Sequence, residues 1–403
     1  MTRAALLAAL LCCASPAAAL FDSREMDVMD VSNRLEPEYY LHTLAFSYPV
    51  VWDDAWSAST APAYRVNGAS LGCCDLLLQQ ELRLDKPLPR GLTFRFRLLQ
   101  DEGREHQYFH YRLELEKKLG LGFSAAVFGE PTFHKEDSDI GFGLAYEPRP
   151  GLRASARHTF VDFNFNKRGH TTQRYKTNPA TDEFSVTARP APDWQVSASI
   201  MVDSPLRREV PDDLRTFSYR RTDADLTLRH APPGRWSRRL SYGYEYERKG
   251  DLFVPAAAGT SLDTRWQTHR LQAALEGTLG SRDRLELGQR VLLRPGRTDY
   301  IGSAAPGIIH RRWEAEPYLR WRHDLAPWLV SELSGYAALG EDRQLRTENG
   351  DSLFRTVAEA SLGAGLDFVF GPSGRIGVYG TLDLDELAPH PFDGGNIRAM
   401  FLF

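Results

Sequence analysis

The sequence predicts an all-β protein, an up-and-down antiparallel β-barrel of about 18 strands, with 16 as the alternative count. Three observations predict it: apolar and polar residues alternate with a period of two from residue 40 onward, short and long connections follow one another in turn, and tryptophans avoid strand centres. Successive side chains of a strand point to opposite faces, so this period is typical of strands whose two faces meet different surroundings. No long stretch shows the period of a helix.

The alternation is clearest in residues 92–98, 109–116 and 240–247, where Leu, Phe or Tyr interleaves with charged or small polar residues. Every stretch of this kind is predicted to be a strand. The predicted strands are 40–49, 74–86, 91–99, 107–117, 121–130, 139–147, 151–163, 182–190, 194–203, 217–230, 237–248, 266–279, 284–294, 310–323, 327–339, 354–370, 374–385 and 394–403. Pro317 removes a ladder hydrogen bond inside one of them, and a bulge is expected there.

The connections after even-numbered strands are short, and most of those after odd-numbered strands are long, for example 50–73, 164–181, 249–265, 295–309 and 340–353. This alternation is typical of a barrel that crosses a membrane, with tight turns on one side and longer loops on the other. The loop 164–181 is the most basic. It is predicted either to bind anionic lipopolysaccharide or a negative solute, or simply to be solvated.

Tryptophan placement agrees with a membrane-crossing barrel, which concentrates amphipathic rings at its two interfaces. Four tryptophans lie beside short turns and four beside or within long loops, so none of the eight lies at a predicted mid-strand position. The four near short turns are Trp194, Trp236, Trp321 and Trp328, and the four near long loops are Trp52, Trp56, Trp266 and Trp313.

The first 19 residues are predicted to be a secretory signal peptide, with Arg3 as the basic region, an apolar run after it and cleavage after Ala19. Lipidation of Cys12 or Cys13 is the alternative. Residues 20–39 are then a short periplasmic segment, and residues 40–403 the barrel. Two cysteines remain after cleavage, Cys73 and Cys74, too few for a disulfide scaffold and too closely spaced to hold a metal ion together.

Composition and charge exclude nucleic-acid binding as a function and membrane-spanning helices after residue 20 as a structure. The formal net charge of −4, from 49 basic and 53 acidic residues, is unlike the basic excess of nucleic-acid-binding proteins. The mean hydropathy is −0.40, and no apolar run of the length of a spanning helix occurs after residue 20.

The C-terminal stretch places Ile397, Ala399, Phe401 and Phe403 on one strand face and ends on an aromatic residue. It resembles the strand by which bacterial outer-membrane barrels are recognised for assembly, with Phe401 and Phe403 as the assembly signal. Together with the signal peptide and the strand pattern, residues 40–403 resemble outer-membrane β-barrel proteins of the porin-like kind, although no specific family is matched. The resemblance implies the outer membrane as location, both termini in the periplasm, and the barrel-assembly machinery, outer-membrane lipid and lipopolysaccharide as partners.

In such a barrel the polar set faces the lumen, and barrels of 16 to 18 strands enclose an aqueous channel. The predicted function is a channel for passive diffusion of small hydrophilic solutes. The predicted pore-lining residues are Arg95, Arg97, Arg112, Glu114, Glu116, Arg153, Arg157, Asp225, Glu245, Glu276, Glu286, Arg290, Glu314, Glu316, Arg320, Glu359 and Asp367. They either select solutes or pair across neighbouring strands to stiffen the wall. A separation of arginines in early strands from acids in late ones would create a transverse field.

Two other classes of function stay open. The barrel could be a scaffold that sheathes or anchors a periplasmic or secreted partner, such as an electron conduit or an export component. An outer-membrane enzyme is the third class, but the 11 histidines are scattered and none lies in a recognisable nucleophile motif. No catalytic residue, metal site or cofactor is therefore predicted. The oligomeric state is open, with a homo-oligomer as one possibility.

Overall fold

The computed structural model describes residues 63–71, 75–102, 107–130, 138–163, 172–234, 236–254, 261–302, 307–347, 352–371, 374–384 and 392–402. These residues form one antiparallel sheet of 20 strands. The strands are β1 Ala63–Leu71, β2 Asp75–Leu88, β3 Leu92–Glu102, β4 Gln107–Gly120, β5 Phe123–Glu130, β6 Asp139–Arg149, β7 Leu152–Phe160, β8 Arg174–Tyr175, β9 Ala180–Ala188, β10 Trp194–Asp203, β11 Leu206–Val210, β12 Arg215–His230, β13 Trp236–Phe253, β14 Ser261–Thr278, β15 Asp283–Ile301, β16 Ile308–Ala326, β17 Leu329–Arg346, β18 Ser352–Val369, β19 Gly374–Asp383 and β20 Phe392–Leu402.

The sheet closes on itself because β1 pairs with β2 on one edge and with β20 on the other. Two places in the wall are each occupied by a couple of consecutive strands. β10 and β11 form one couple and pair with successive parts of β12, and β9 and β8 form the other couple and pair with β10 and β11, respectively. Each of these couples occupies one place in the wall, so the barrel has eighteen strand positions. The all-β barrel predicted from the sequence is confirmed.

The strand that closes the barrel was predicted wrongly. Residues 63–71 were assigned to the loop 50–73, but they form β1. Their apolar contrast is weak, since the second half reads Gly-Ala-Ser and offers little alternation to recognise. The predicted strand 40–49 lies outside the described residues.

Seven neighbouring strands are much longer than a membrane crossing requires. Strands β12 to β18 have 16 to 19 residues each, whereas a tilted transmembrane strand needs about 9 to 11. Their ends at the short turns were predicted to within a few residues, but several of their far ends extend into the predicted loops 249–265, 295–309 and 340–353. Both faces of these extensions carry polar residues, for example Arg248 and Lys249, so no alternation marks them in the sequence.

The outward face is apolar over the rest of the wall. Val127, Leu144 and Ile397 are about three-fifths exposed or more, and exposed Leu, Phe and Tyr side chains recur on alternate residues around the barrel. An exposed apolar surface of this extent is what lipid covers in a membrane-crossing barrel. In the part of the chain that the structure describes, no helix is long and apolar enough to cross a membrane.

The short turns use backbone conformations that suit tight hairpins. Between β4 and β5, Leu121 and Gly122 have φ of 52° and 82°, and the Glu147 N–H donates to the Gly122 carbonyl at 2.8 Å. Both central φ angles are positive, as in the two-residue turns whose twist matches that of the strands. A Cβ at position 122 would lie 2.5 Å from the Glu147 carbonyl oxygen, so the closeness of the neighbouring turn also requires glycine.

Two further details differ from the predictions. No register shift occurs at Pro317 on β16, which faces outward opposite Gln289 of β15. The register shift of β16 lies instead between Asp324 and Ala326, where the strand pairs with β17. Trp266 lies inside β14 and is buried on the inward face, because the strand begins at Ser261 rather than at the tryptophan itself. Trp52 and Trp56 lie outside the described residues.

Candidate functional site

The inward face of the barrel is the candidate functional site. Alternation places many charged residues on the face opposite the exposed apolar ones; on β16, for example, Glu316 and Arg320 are buried while Leu319 is exposed. The same parity holds for the predicted pore-lining residues whose side chains the structure describes. Glu359 lies on β18 opposite Ala338, and its side chain is outside the description.

A first cluster of ion pairs spans β3 to β7. Arg95 Nη1 lies 2.5 Å from Glu114 Oε1 and 2.7 Å from Glu116 Oε2. Arg157 approaches Glu114 at 3.2 Å, and Arg153 approaches Glu116 at 3.5 Å. Both carboxylates are buried, so each guanidinium satisfies a charge that would be costly if left alone.

The other two predicted arginines of this region are also engaged. Arg97 forms an ion pair with Asp85 on β2 at 2.5 Å. The guanidinium of Arg112 lies 3.6 Å from the centre of the Phe128 ring, a cation–π contact across β4 and β5. Because Arg95, Arg97, Arg153 and Arg157 each face a carboxylate nearby, their charges are largely compensated in place, and the predicted transverse field is weaker than charge counting suggests.

A second cluster spans β12 to β14. Arg221 Nε lies 2.8 Å from Asp223 Oδ2, and Arg221 and Arg270 approach Glu245 at 3.6 and 3.5 Å. Only Glu245 of this cluster belongs to the predicted lining. The inward face also carries Arg221, Asp223 and Arg270. The alternation could have revealed them, because they have the opposite parity to the exposed Leu226 on β12 and Leu271 on β14.

A third and more deeply buried cluster lies on β15 to β17 and reaches Arg239 on β13. Arg290 pairs with Glu316 at 2.7 Å, and Arg320 lies 3.1 Å from Glu332 and 3.4 Å from Glu286. Further ion pairs of this cluster are Arg312 with Glu314, Arg312 with Asp342 at 3.6 Å, Arg322 with Glu332 at 3.0 Å and Arg239 with Glu286 at 3.2 Å. Glu332, which sequence analysis missed, links two arginines. Asp367 on β18 is buried beside this region.

Inward aromatic rings lie against glycines on the neighbouring strand. Tyr318 pairs directly with Gly288, and a Cβ on that glycine would lie 2.2 Å from the ring. Its hydroxyl donates to Glu286 at 2.8 Å and accepts from Gln272 at 3.1 Å. The guanidinium of Arg290 lies 4.7 Å from the ring centre. The missing side chain lets the ring lie along the wall, where it holds the polar groups around it.

The same arrangement recurs at other inward rings. Trp266 covers Gly296, and Phe128 covers Gly141; both are direct cross-strand pairs in which a Cβ on the glycine would lie under 2.5 Å from the ring. Sequence analysis did not find these pairs, because the register between strands decides which glycine faces which ring.

Two of the predicted lining carboxylates differ from the others whose side chains the structure describes. Asp225 on β12 and Glu276 on β14 are exposed on the inward face. Among the described residues, neither carboxylate has a hydrogen bond or an ion pair. They are therefore the inward charges best placed to act on a solute.

Three histidines pair with aspartates on the outward face. His230 lies 2.9 Å from Asp193, His323 lies 2.9 Å from Asp283, and His158 lies 2.7 Å from Asp182. Trp194 stacks on His230 with ring centres 4.4 Å apart, and Trp321 Nε1 donates to Asp283 at 3.0 Å. The first two groups lie at the short-turn rim, where amphipathic rings are expected.

The pair His323 and Asp283 has a serine beside it. Ser331 lies directly opposite His323 on β17, but its hydroxyl donates to the His323 backbone carbonyl at 3.3 Å. In the described ranges, no group of three or more His, Cys, Asp or Glu side chains has an arrangement that could hold a metal ion. Cys73 and Cys74 lie outside the described residues.

No protein-family model matches the chain, and no curated protein matches it. Among solved structures, it is similar to OccK10 (OpdN) of Pseudomonas aeruginosa, at 13% identity over 86% of this chain and 98% of that one, with a TM-score of 0.37. It is also similar to OmpT of Vibrio cholerae, at 10% identity over 86% and 99% of the two chains, with a TM-score of 0.41. The translocator domain of the autotransporter NalP from Neisseria meningitidis matches at 12% identity over 70% and 89%, with a TM-score of 0.31.

Proposed function

We propose that this protein is an outer-membrane channel through which small hydrophilic solutes diffuse passively. One observation carries the proposal: a closed wall of eighteen strand positions has an apolar outward face and a densely charged inward face. Eight-stranded barrels fill with side chains, whereas barrels of about 16 to 18 strands are wide enough for an aqueous channel.

The ion pairs of the wall support a water-filled interior of modest selectivity. Most inward charges, such as Arg95 and Glu116, neutralise one another across neighbouring strands, which keeps the wall rigid and leaves little net field. Asp225 and Glu276 remain as exposed carboxylates. A channel of this kind favours small cations weakly and rejects neither sign.

The proposed placement follows from the lengths of the strands. The short turns face the periplasm, together with both chain termini, and the long ends of β12 to β18 stand on the extracellular side. Phe401, on the outward face of β20, and Phe403, outside the described residues, form the proposed signal for the barrel-assembly machinery. The oligomeric state, including a homo-oligomer, stays a proposal to be measured.

Conductance across a planar lipid bilayer tests the proposed function. Purified full-length protein is expected to insert and give stable, ohmic steps in KCl. Each step should fall when a neutral polymer small enough to enter the lumen is added, because the polymer displaces conducting solution. A correctly folded barrel that inserts without conducting would contradict the proposal.

The sheath or anchor role and the enzyme role are the competing functions. A sheath is expected to conduct only after its partner is removed, so protein extracted from its own membrane and protein refolded alone would differ. An enzyme would hydrolyse lipid or peptide without needing the lumen. The conductance of protein refolded alone, compared with that of the extracted protein, separates the channel from the sheath.

A further inference from the structure

A row of arginines crosses the outward face on six neighbouring strands, β12 to β17. Each member has the parity of exposed apolar residues of its own strand, such as Leu226 on β12, Leu293 on β15 and Trp313 on β16, so it points away from the lumen. The members of this arginine row are Arg220, Arg248, Arg265, Arg297, Arg311 and Arg343.

The members are neighbours in the sheet. Arg220 pairs directly with Arg248, Arg248 with Arg265, and Arg265 with Arg297. On the next two strands, β16 and β17, Arg311 pairs directly with Arg343. Side chains directly opposite one another are separated by only about 5 Å at Cβ, and like charges in such pairs destabilise a sheet. The row therefore favours an arrangement in which anions lie between its guanidinium groups.

The described residues supply only some of these anions. Asp263 pairs with Arg248 at 2.8 Å and with Arg265 at 2.6 Å. Two further pairs are Arg297 with Asp299 at 2.7 Å and Arg343 with Glu341 at 3.4 Å. Among the described residues, three carboxylates thus face six guanidinium groups.

The two remaining members, Arg220 and Arg311, differ from the other four. Within the described ranges, Arg220 and Arg311 make no hydrogen bond or ion pair, and both are exposed. Arg248, Arg265, Arg297 and Arg343 also stay between about two-fifths and three-fifths exposed in their side chains. The row has an excess of positive charge that is accessible from outside.

The row lies toward the far ends of its strands. Its six members lie 10 to 15 residues from the ends of their strands at the short turns, with Arg220 at 10 and Arg311 at 15. A strand rising about 3.3 Å per residue and tilted by about 40° gains about 2.5 Å of height per residue, so the row climbs from about 25 Å to about 38 Å above the turns. The apolar band of such barrels is only about 25 Å tall.

We infer that the arginine row binds the phosphate groups of the glycolipid that forms the outer leaflet, the lipid A part of lipopolysaccharide. A guanidinium offers paired N–H donors that match phosphate oxygens, and the outward apolar residues below the row, such as Trp313 and Leu293, would contact the acyl chains. The inference rests on the proposed orientation in the outer membrane. Its occupant is a lipid held by both its charge and its chains, not free phosphate.

Binding of defined lipids to the purified full-length barrel tests this inference. Lipid A with both phosphates is the probe, and the same lipid with its phosphates removed is the comparison, with binding followed by native mass spectrometry. We expect the phosphorylated lipid to bind at least tenfold more tightly, since two or more charge-assisted contacts are lost with the phosphates. Equal affinities for the two lipids would overturn the inference, and this comparison needs no variant.

A variant locates the site. The double substitution Arg220→Gln and Arg311→Gln removes the two members that make no hydrogen bond or ion pair among the described residues, and it is expected to weaken binding of phosphorylated lipid A about tenfold. The matched control is Arg238→Gln, on the same face of β13 but at the short-turn rim, with an expected change of less than about twofold. Unchanged binding in the double variant, or an equal loss in the control, would overturn the inference. Inorganic phosphate that competes fully with lipid A would also overturn it.

The outcome is separable from that of the channel proposal. The arginine row faces away from the lumen, so the double variant is expected to keep the conductance of the parent protein, and this measurement also shows that it folds. If the protein conducts but does not prefer phosphorylated lipid A, the proposed role of the arginine row is wrong and the channel proposal stands. If it prefers phosphorylated lipid A but does not conduct, the channel proposal is wrong and the role of the row stands.

Discussion

Arg290 Nη1 lies 2.7 Å from Oε1 of Glu316, its direct cross-strand partner, and the Glu316 side chain is fully buried. The substitution Glu316→Ala leaves the guanidinium buried without this partner, and we expect it to lower the free energy of unfolding by about 3 kcal/mol. Urea titration of the barrel folded into phospholipid vesicles measures the change.

Two comparisons decide whether the lost pair is the cause. Replacing both residues by leucine is expected to recover most of the loss, because no uncompensated charge then remains in the wall. Asp299→Ala breaks the more exposed pair with Arg297 and is expected to cost less than about 1 kcal/mol. A loss of stability in the double leucine variant as large as that in Glu316→Ala would show that packing, not charge, explains the effect.

The close approach of Tyr318 to Gly288 gives a second prediction. In Gly288→Ala the new Cβ would fall within the space of the tyrosine ring, so the ring must move away from Glu286. Overpacking of this kind costs about 1 to 3 kcal/mol, measured by the same urea titration. Gly335→Ala is the matched control, because its Cβ would meet only a Leu362 methyl at 3.7 Å. A similar loss in the two variants would contradict the prediction.

The alternation of the sequence determines the strands and their faces well, because lipid and lumen impose opposite polarity on successive residues. It fails where that contrast ends. Beyond Arg248 on β13 both faces carry polar side chains, so the extension to Phe253 could not be recognised. β1 was missed for the related reason that small residues dilute its pattern.

The partners of the inward charges could not be predicted for a different reason. Parity places Glu116 on the inward face, but its contacts with Arg95 on β3 and Arg153 on β7 depend on register and tilt. The contact of Tyr318 with Gly288 has the same origin. The sequence positions of the charges therefore suggested a transverse field across the lumen, whereas the ion pairs of the inward face cancel most of it.

Ion selectivity tests this difference. The triple variant Arg95→Gln, Arg97→Gln and Arg153→Gln leaves carboxylates such as Glu116 less compensated, and reversal potentials in a KCl gradient should shift toward cations. Asp225→Asn removes a carboxylate without a partner among the described residues and should shift them toward anions. Unchanged reversal potentials in both variants would show that these residues do not face the conducting path.

The orientation of the barrel gives the last prediction. Thr347 follows the long end of β17, and Ser281 lies in the short turn between β14 and β15. In a background with Cys73→Ser and Cys74→Ser, the variant Thr347→Cys should react on intact cells with a maleimide too bulky to pass the channel. The variant Ser281→Cys should react only after the outer membrane is permeabilised, because the proposed orientation puts the short turns in the periplasm. The reverse pattern would show that the barrel has the opposite orientation. The arginine row would then lie in the periplasmic leaflet, where lipid A is absent.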